Sequence, residues 1–486
     1  MELARVSHRI MGVSRKVAAA GLASGLLLAG CDSSQSSMAP SGTGLTSMSL
    51  AGAWQGYSGG FMPASAPGST PATFDLMVGA PRATHSKGAL LIYNNGSTVP
   101  TAIEGMAEGD YFGSSFANLG DVMGTGKNYF AVGAIHASGN APLSGAVYIY
   151  ELTSTGGNLV STLKGDQALD RFGFAVTSGD LNGDGIKDIV VSAPYTYTEE
   201  PGDTTSGFQS GAIYVYFGGA TLSSTPTPDV IIQGATSSNL DTGDVNGDGI
   251  SDLLAPASGK VRVFFGGTDF QARVGVPDIV ANAEFTAGGN AVAYLGDVNG
   301  DGFGDVAVSN SAAKTTANAI TGAVYIYRGS ATLSGTLAAT AAAATIWGAG
   351  GEFDKFGSSI ALVGGTTQDI LVGAPWAAGG TTAAPLADGG NIYRFSLAPA
   401  PAGTPTPLAV GTILTTADAI KNYPIDLMSG EYGRNLAIGG RMFFAGAPLL
   451  DRENGVAYLT DVDSGLGGGV GGGVGGIGGG GGGHVH

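Results

Sequence analysis

One strand-like pattern recurs seven times along the chain, and this repetition restricts the possible folds more than any other feature. Each copy places β-branched or aromatic residues at alternate positions shortly after a glycine. The copies are GALLIY (88–93), GAVYIY (145–150), GAIYVY (211–216), GKVRVF (259–264), GAVYIY (322–327), GNIYRF (390–395) and GVAYLT (455–460). Such period-two alternation is typical of a β-strand that leaves a turn.

A second apolar run precedes each copy. These runs are LMVGAP (76–81), FAVGAI (130–135), IVVSAP (189–194), LLAPAS (253–258), VAVSN (306–310), ILVGAP (370–375) and FFAGAP (443–448). Six intervals separate Gly79 from Gly446, so the unit recurs about every 61 residues. Continuous apolar runs of this length indicate strands that are buried on both faces.

Two further strands complete the repeating unit. An element containing Phe-Gly or Tyr-Gly comes first, as in YFGSSFA (111–117), RFGFAV (171–176), KFGSSIA (355–361) and EYGRNLA (431–437). An outer strand is marked by an apolar residue two positions before a glycine: Ile103, Leu163, Ile232 and Ile346. Each unit therefore predicts a four-stranded antiparallel sheet. The 86 glycines among 486 residues agree with this all-β class, because helices tolerate glycine poorly.

Three consecutive units carry an acidic loop between their first and second strands: GDLNGDGIKD (179–188), GDVNGDGISD (243–252) and GDVNGDGFGD (296–305). Counted from the first aspartate, each offers side-chain oxygens at positions 1, 3, 5 and 9 and a backbone carbonyl at position 7. The candidate ligands are Asp180, Asn182, Asp184, Ile186 and Asp188; Asp244, Asn246, Asp248, Ile250 and Asp252; and Asp297, Asn299, Asp301, Phe303 and Asp305. Oxygen-only sets favour a hard cation, and their flexible mixture suits Ca²⁺ better than Mg²⁺.

The loops differ from an EF-hand, which needs a glutamate at position 12 and flanking helices. Position 12 of the first loop is Val191, inside an apolar run. We therefore expect a hairpin connector and three calcium sites of structural role. The alternative is a set of simple Asn-Gly and Asp-Gly turns, which hairpins favour in any case. The loop at 120–128 keeps Asp121 but has Met123 and Thr125 at ligand positions, and the loops at 362–370 and 437–444 have lost the ligands.

The order of F-G, acidic loop, G-A-P and G-x-V-Y-V-Y resembles the FG-GAP repeat of the integrin α-chain β-propeller. The resemblance covers about residues 45–463. It implies a seven-bladed β-propeller of four-stranded antiparallel blades, with structural calcium ions in hairpin loops. It also implies a role in adhesion or protein recognition.

The two ends of the repeat array predict how such a propeller closes. The last unit ends at GVAYLT and lacks an outer strand, whereas the segment 47–60 supplies a surplus one, with Leu50 and Gly52 in the outer-strand register. We expect this N-terminal strand to pair onto the last blade, which would remove an exposed sheet edge.

The first residues resemble the signal peptide of a bacterial lipoprotein. A basic stretch precedes an apolar run at 17–28, and LLAGC (27–31) resembles a lipobox. This predicts a signal peptide at 1–30, lipidation of Cys31, and a polar tether over 31–44. An ordinary signal peptide with an incidental cysteine is the alternative. Residues 464–486 form a glycine-rich segment predicted to be disordered. The expected location is the cell envelope, with the choice of membrane open.

Charge and motifs narrow the function classes. A formal net charge of −17 argues against a nucleic-acid partner. No G-x-S-x-G, H-E-x-x-H or Cys/His pair indicates an enzyme. His85 and His136 are expected at the surface, and the acids before F-G, Asp110, Asp170, Asp354 and Glu431, are expected as turn residues.

We therefore expect a membrane-anchored module that binds a protein or glycan ligand. A candidate contact loop spans 195–210, with Tyr195, Tyr197, Glu199 and Glu200, and a second long stretch covers 396–425. Two alternatives stay open. One is a propeller enzyme that acts on polysaccharide, and the other is a scaffold for envelope assembly.

Overall fold

The structure is a computed structural model that describes part of the chain. The described residues are 46–49, 58–63, 74–94, 100–196, 211–222, 226–234, 239–257, 259–271, 280–315, 319–348, 354–363, 368–377, 379–381, 384–386, 390–397, 412–424, 435–439, 442–447 and 456–461. All of them belong to one unit, Ser36–His486. The predicted signal peptide, Cys31, the tether and the glycine-rich segment lie outside the described residues, as do Tyr197, Glu199 and Glu200.

The described strands form seven sheets of four or five strands and one small hairpin. Strand β1 (Thr46–Ser49) belongs to the last sheet. Sheet I contains β2 (Ser58–Pro63), β3 (Phe74–Ala80), β4 (Ala89–Tyr93) and β5 (Thr101–Glu104). Sheet II contains β6 (Phe112–Gly120), β7 (Tyr129–Ala134), β8 (Ala146–Thr153) and β9 (Gly156–Lys164). Sheet III contains β10 (Val176–Gly179), β11 (Asp188–Ala193), β12 (Ala212–Tyr216) and β13 (Val230–Gln233).

The later sheets repeat this order. Sheet IV contains β14 (Asp241–Gly243), β15 (Asp252–Ala257), β16 (Lys260–Phe264) and β17 (Ala283–Phe285). Sheet V contains β18 (Val292–Gly296), β19 (Asp305–Asn310), β20 (Ala323–Tyr327) and, after β21 (Gly335–Leu337), β22 (Ala344–Trp347). Sheet VI contains β23 (Ser359–Val363), β24 (Asp369–Ala374) and, after the hairpin β25 (Gly379–Thr381) and β26 (Ala384–Leu386), β27 (Asn391–Ser396). After β28 (Thr412–Thr415), β29 (Lys421–Pro424) completes sheet VI, and sheet VII contains β30 (Asn435–Gly439), β31 (Met442–Ala447), β32 (Val456–Asp461) and β1.

The predicted all-β class and the four-stranded antiparallel unit are confirmed, and the arrangement is consistent with a propeller. The described helices are single turns: α1 (Ala83–Ser86), α2 (Thr268–Gln271) and 3-10 turns at Ala220–Leu222, Ala339–Ala341 and Thr416–Asp418. In α1 the φ angles of Thr84 and His85 are 49° and 58°, so this turn is left-handed. Within the described residues, no helix has the length and apolarity needed to cross a membrane.

Sheets IV and V each carry a fifth strand that the sequence did not indicate. Strand β21 pairs in parallel with β17, and β28 pairs in parallel with β22. Each added strand comes from the long connection before the outer strand of the following sheet. Non-local pairings of this kind follow from tertiary contacts, and the short segments involved show no long alternating pattern of their own.

The apolar core lies between neighbouring sheets. All six residues of β7 and of β11 are buried, as the continuous apolar runs predict. One cluster joins Val147 and Leu163 of sheet II to Ile189 and Val191 of sheet III. Strands β7 and β11 are therefore covered on both faces, because a neighbouring sheet packs on them.

The F-G element forms the turn that enters a sheet, and in sheets III and VI the first strand starts after it. Arg171 and Gly173 have φ angles of 54° and 90°, which belong to the left-handed region and end regular extended structure. The Phe172 ring packs edge-on against Tyr214 and Tyr216 of its own sheet, with centroids 5.3 and 6.3 Å away. The Phe172 amide donates to the Ser144 carbonyl of the preceding sheet at 2.9 Å.

A close backbone contact between glycines completes this junction. A β-carbon on Gly133, in the second strand of sheet II, would overlap the carbonyl oxygen of Gly173 in sheet III. The Ser115 hydroxyl donates to the same oxygen at 2.7 Å. Gly79 meets Gly113 in the same way between sheets I and II. At these two junctions the glycine of the second strand therefore lets the F-G backbone of the next sheet come closer than a side chain would allow, whereas Ser309 of sheet V occupies the equivalent position beside Gly357 of sheet VI.

The first strands of successive sheets are linked by side chains that bond to backbone. Asn118 donates to the Phe61 carbonyl at 3.3 Å, Ser178 to the Asn118 carbonyl at 3.2 Å, and Thr242 to the Ser178 carbonyl at 2.8 Å. Strand β2 contacts both β6 of sheet II and β30 of sheet VII. Strand β1 pairs antiparallel with β32, with Met48 opposite Ala457. Leu50 and Gly52, expected in this pairing, lie outside the described residues.

We predict that deletion of residues 45–56 unfolds the domain. The deletion removes β1 and leaves the edge of β32 unpaired, and a single sheet buries too little surface to be stable. Thermal unfolding followed by circular dichroism measures the effect. A matched deletion of residues 464–475 from the glycine-rich segment should leave the melting temperature unchanged. An unchanged melting temperature after deletion of 45–56 would show that β1 does not hold the ends together.

Candidate cation-binding loops

The three acidic loops lie at the same place in three consecutive sheets. They connect β10 to β11, β14 to β15, and β18 to β19, each pair being antiparallel neighbours. The predicted hairpin connector is therefore confirmed, and the chain continues into a strand where an EF-hand would continue into a helix. Adjacent loops are in contact, because the Asp180 carbonyl accepts from the Ser251 amide at 2.9 Å and the Asp244 carbonyl from the Gly304 amide at 3.1 Å.

The carboxylate of the first aspartate in each loop accepts hydrogen bonds from the backbone amides that follow it. Asp180 accepts from the amides of Gly183, Asp184 and Gly185 at 2.7, 3.2 and 2.8 Å. Asp244 and Asp297 make the same three bonds in their own loops. These charge-assisted bonds hold the loop in a tight turn.

The asparagine and the second aspartate form a smaller ring of bonds. Asn182 accepts from the Asp184 amide at 2.9 Å and donates its side-chain nitrogen to the Asp184 carboxylate at 3.0 Å. The other oxygen of that carboxylate accepts from the Ile186 amide at 2.8 Å. Asn299 differs, because its side-chain nitrogen donates to Asp305 at 3.2 Å. The side chains at positions 1, 3 and 5 thus shape the loop through hydrogen bonds.

The last aspartate of each loop is buried and joins the loop to the third strand of its sheet. One oxygen of Asp188 accepts from the Leu181 amide at 2.8 Å, and the other accepts from the Gly218 amide, just after β12, at 2.8 Å. Asp252 makes the equivalent bonds to Val245 and Gly266, and Asp305 to Val298 and Gly329. The sequence did not reveal this buried role, because spacing alone does not show which partners a carboxylate has.

Burial raises the pKa of Asp188 and of Asp252 to about 7, and that of Asp305 to about 6. The amides that donate to each carboxylate oppose this effect, whereas the charges of the other two aspartates in the loop add to it. Each loop therefore concentrates negative charge that a bound cation would offset.

Sheets II and VI lack the full set of oxygen ligands between their first and second strands, and each keeps one aspartate there. Sheet II keeps Asp121 at the start of the loop, and sheet VI keeps Asp369 at its end. In sheet VI the loop acids are missing, and the buried Asp369 pairs with Arg394, whose Nε lies 2.7 Å from the carboxylate. In sheet II, Asp121 accepts from the amides of Thr125 and Gly126 at 2.8 and 2.6 Å, as Asp180 does in its loop. The tight turn therefore forms without the second and third acids.

The donor chemistry of the three loops fits calcium, since every candidate ligand is an oxygen. The side chains do not enclose a cage: within the part of the chain that the structure describes, no group of three or more His, Cys, Asp or Glu residues lies close enough together to hold a metal ion. The predicted ligands are thus brought to one end of each hairpin, and calcium binding by them stays a prediction.

Two of the acids before F-G, Asp110 and Asp170, form turns as expected, and Glu431 lies outside the described residues. Asp110 accepts from the Ala107 amide at 3.0 Å and Asp170 from the Gln167 amide at 3.1 Å. Burial raises the pKa of Asp170 to about 6. His136, expected at the surface, is half-buried, and its ring packs edge-on against Tyr111 with centroids 4.6 Å apart. Burial, with the nearby Arg171 charge, lowers the pKa of His136.

In the candidate contact loop only Tyr195 and Thr196 are described. The Arg171 guanidinium lies 4.4 Å from the centroid of the Tyr195 ring, in a cation–π contact. Lys355 and Trp376 form a similar pair in sheet VI at 5.9 Å. In both pairs the cation immediately precedes Phe-Gly, and the aromatic residue follows the second strand of the same sheet. The two motifs are far apart in sequence and did not indicate this contact. His85 is exposed.

Comparison with known proteins identifies the repeat. The family model described as FG-GAP repeat matches residues 172–216 and 288–327. Integrin alpha-PS5 of Drosophila melanogaster is 28% identical over 278 residues, which cover 52% of this chain and 26% of that protein. Human integrin alpha-11 is 32% identical over 210 residues, or 39% of this chain and 16% of that protein. Bovine phosphatidylinositol-glycan-specific phospholipase D is 38% identical over 126 residues, or 23% of this chain and 14% of that protein.

The chain thus spans 26% or less of the length of these relatives. Among solved structures, Saccharomyces cerevisiae Sqt1 aligns with a TM-score of 0.43 and 11% identity over 87% of this chain and 86% of that chain. The matched segments 172–216 and 288–327 coincide with most of sheet III and of sheet V, so the repeat unit in sequence corresponds to a sheet in the structure.

Proposed function

We propose that this chain, an FG-GAP repeat protein similar to integrin alpha chains, is a closed seven-bladed β-propeller that binds a protein or glycan ligand at the cell envelope. The observation that carries the proposal is a junction repeated between sheets I and II and between sheets II and III: the F-G backbone of one sheet lies against the second-strand glycine of the sheet before it. Closure is supported by the pairing of β1 with β32 and by the contacts of β2 with both β6 and β30.

The similarity to integrin alpha chains supports a binding or adhesion module rather than an enzyme. The phospholipase D relative is an enzyme by name, but the aligned region is 14% of that protein. Its activity therefore does not carry over to this chain. A propeller presents many loops on one face, and loops on a rigid scaffold commonly form binding surfaces.

Calcium is proposed to stiffen the three acidic loops. Asp180, Asn182, Asp184, the Ile186 carbonyl and Asp188 would hold one ion, and the equivalent residues of the other two loops would hold one each. The bound ion would supply positive charge among three carboxylates, whose mutual repulsion it would remove. The chain's own contribution is to hold the loop in place through the buried carboxylate of Asp188.

A lipid on Cys31 is proposed to attach the domain to a membrane, with residues 32–44 as a tether. A lipid-modified cysteine that carries several acyl chains would give stable attachment. The support for this part is the sequence resemblance of residues 1–31 to a lipoprotein signal peptide.

We predict that millimolar calcium raises the melting temperature of the protein relative to the same protein in chelator, with affinities of about 10⁻⁴ to 10⁻³ M. The triple variant D184N/D248N/D301N should lose this rise, because each loop then lacks one charge. Its melting temperature in chelator should stay near that of the parent, since asparagine can still accept the amide bond at position 7. The variant D121N, in the loop without a full donor set, serves as control and should keep the rise. An equal rise in the triple variant would argue against these loops as the calcium sites.

The function is tested with two forms of the protein. In cells, Cys31→Ala should move the protein from the membrane fraction to the soluble fraction, and protease added to intact cells should digest the parent if it faces outward. The soluble Cys31→Ala protein then serves as bait against extracellular material and envelope extracts. Capture of an extracellular protein or glycan is expected. Capture of envelope proteins alone would favour the scaffold, and turnover of polysaccharide would favour the enzyme.

A further inference from the structure

Each of the three acidic loops contains an Asn-Gly dipeptide in addition to its carboxylates. The dipeptides are Asn182-Gly183, Asn246-Gly247 and Asn299-Gly300. Asn-Gly is chemically labile in unfolded chains, because glycine has no side chain to hinder attack by its own nitrogen. The chain's other Asn-Gly pairs, at 95–96 and 454–455, lie outside the described residues.

The reaction at such a pair is deamidation. The glycine amide nitrogen loses its proton and attacks the asparagine Cγ, a C–N bond forms, and the side-chain nitrogen leaves as ammonia. The product is a five-membered succinimide. Water then adds to either of its carbonyl carbons and opens the ring, giving aspartate or isoaspartate. In sum, asparagine and water yield an acid and ammonia.

We propose that Asn182, Asn246 and Asn299 are latent deamidation sites, which the first aspartate of each loop keeps unreactive. The proposal stands on hydrogen bonds within the loops, and its test is made in the absence of a bound cation.

The attacking nitrogen is held by a carboxylate in every loop. The Gly183 amide donates to Asp180 at 2.7 Å, the Gly247 amide to Asp244 at 2.6 Å, and the Gly300 amide to Asp297 at 2.6 Å. Deprotonation of such an amide would break a charge-assisted bond and place two negative charges beside each other. The reactive anion therefore forms far less readily than in a free chain.

The attacked side-chain amide is held as well, in the third loop by the Asp301 amide at 2.9 Å and Asp305 at 3.2 Å, and in the first two loops by a single residue. The Asn182 side-chain oxygen accepts from the Asp184 amide at 2.9 Å, and its nitrogen donates to the Asp184 carboxylate at 3.0 Å. Asn246 makes the same two bonds to Asp248, at 3.0 and 2.9 Å. The side-chain amide thus bonds to residue i+2, whereas ring closure requires Cγ to approach the nitrogen of residue i+1.

The consequence of losing this protection is specific to these loops. Conversion of Asn182 adds a fourth carboxylate to a loop that already holds Asp180, Asp184 and Asp188. Isoaspartate also adds a backbone methylene, which would displace Gly183 from the bond to Asp180. A converted loop therefore cannot regain its original hydrogen bonds. By slowing deamidation, the first aspartate protects the loop from an irreversible chemical change.

The test compares conversion at each site in the full-length protein, incubated in warm, mildly alkaline buffer with chelator. Peptide mapping by mass spectrometry measures deamidation, and the synthetic peptide GDLNGDGIKD supplies the unprotected rate. In the parent protein, Asn182 should convert at least about tenfold more slowly than in the peptide. In Asp180→Ala the rate at Asn182 should rise about tenfold or more, while Asn246 and Asn299 in the same molecules stay slow.

Two further variants make the result specific. Asp180→Asn keeps an oxygen acceptor but removes the charge, and its rate should lie between those of the parent and Asp180→Ala. Asp121→Ala opens the loop of sheet II, which has Met123-Gly124 in place of Asn-Gly, and should leave all three rates unchanged. The proposal is overturned if the folded parent converts as fast as the peptide. It is also overturned if Asp180→Ala leaves the Asn182 rate unchanged or lower, or raises all three sites equally.

Discussion

The packing of sheets I, II and III depends on the close approach of two backbones at each junction between them. Gly133 of sheet II lies against the Gly173 carbonyl of sheet III, and Gly79 lies against the Gly113 carbonyl one sheet earlier. A side chain at either position would separate the sheets, and the apolar core lies between those sheets. The aromatic residue next to the glycine strengthens the junction, because its ring packs on its own sheet while its amide bonds to the preceding one.

A second constraint concerns the buried carboxylates at the loop ends of the sheets. A buried aspartate begins the second strand in sheets III to VI, where water cannot solvate it. In sheets III, IV and V backbone amides donate to both oxygens of this carboxylate, and in sheet VI Arg394 pairs with one oxygen of Asp369. Burying a carboxylate costs free energy unless hydrogen bonds or an opposite charge compensate. The acidic loops and the arginine are thus two solutions to one electrostatic problem.

The strands could be predicted from sequence because their signal is local. Alternation predicted β12 and β20 to within one residue and the start of β8, which continues three residues beyond the pattern, and the acidic loops were correctly placed between antiparallel strands. The parallel strands β21 and β28 depend on contacts with another sheet and left no such signal. The role of Asp188 was also hidden, because its partner Gly218 lies 30 residues away. Spacing along the sequence can indicate which oxygen atoms are candidate metal ligands. Only the folded chain shows which of these oxygens already accept hydrogen bonds.

The central claim is tested most directly by the equilibrium stability of Gly133→Ala, measured by urea unfolding beside Gly109→Ala. Gly109 has a φ of 87° but nothing within 4 Å of an added β-carbon, so it isolates backbone strain of about 1–2 kcal/mol. Gly133→Ala should cost clearly more, about 3 kcal/mol or above, because two sheets must move apart. Equal losses in the two variants, or a smaller loss at Gly133, would contradict the dependence of the fold on this contact.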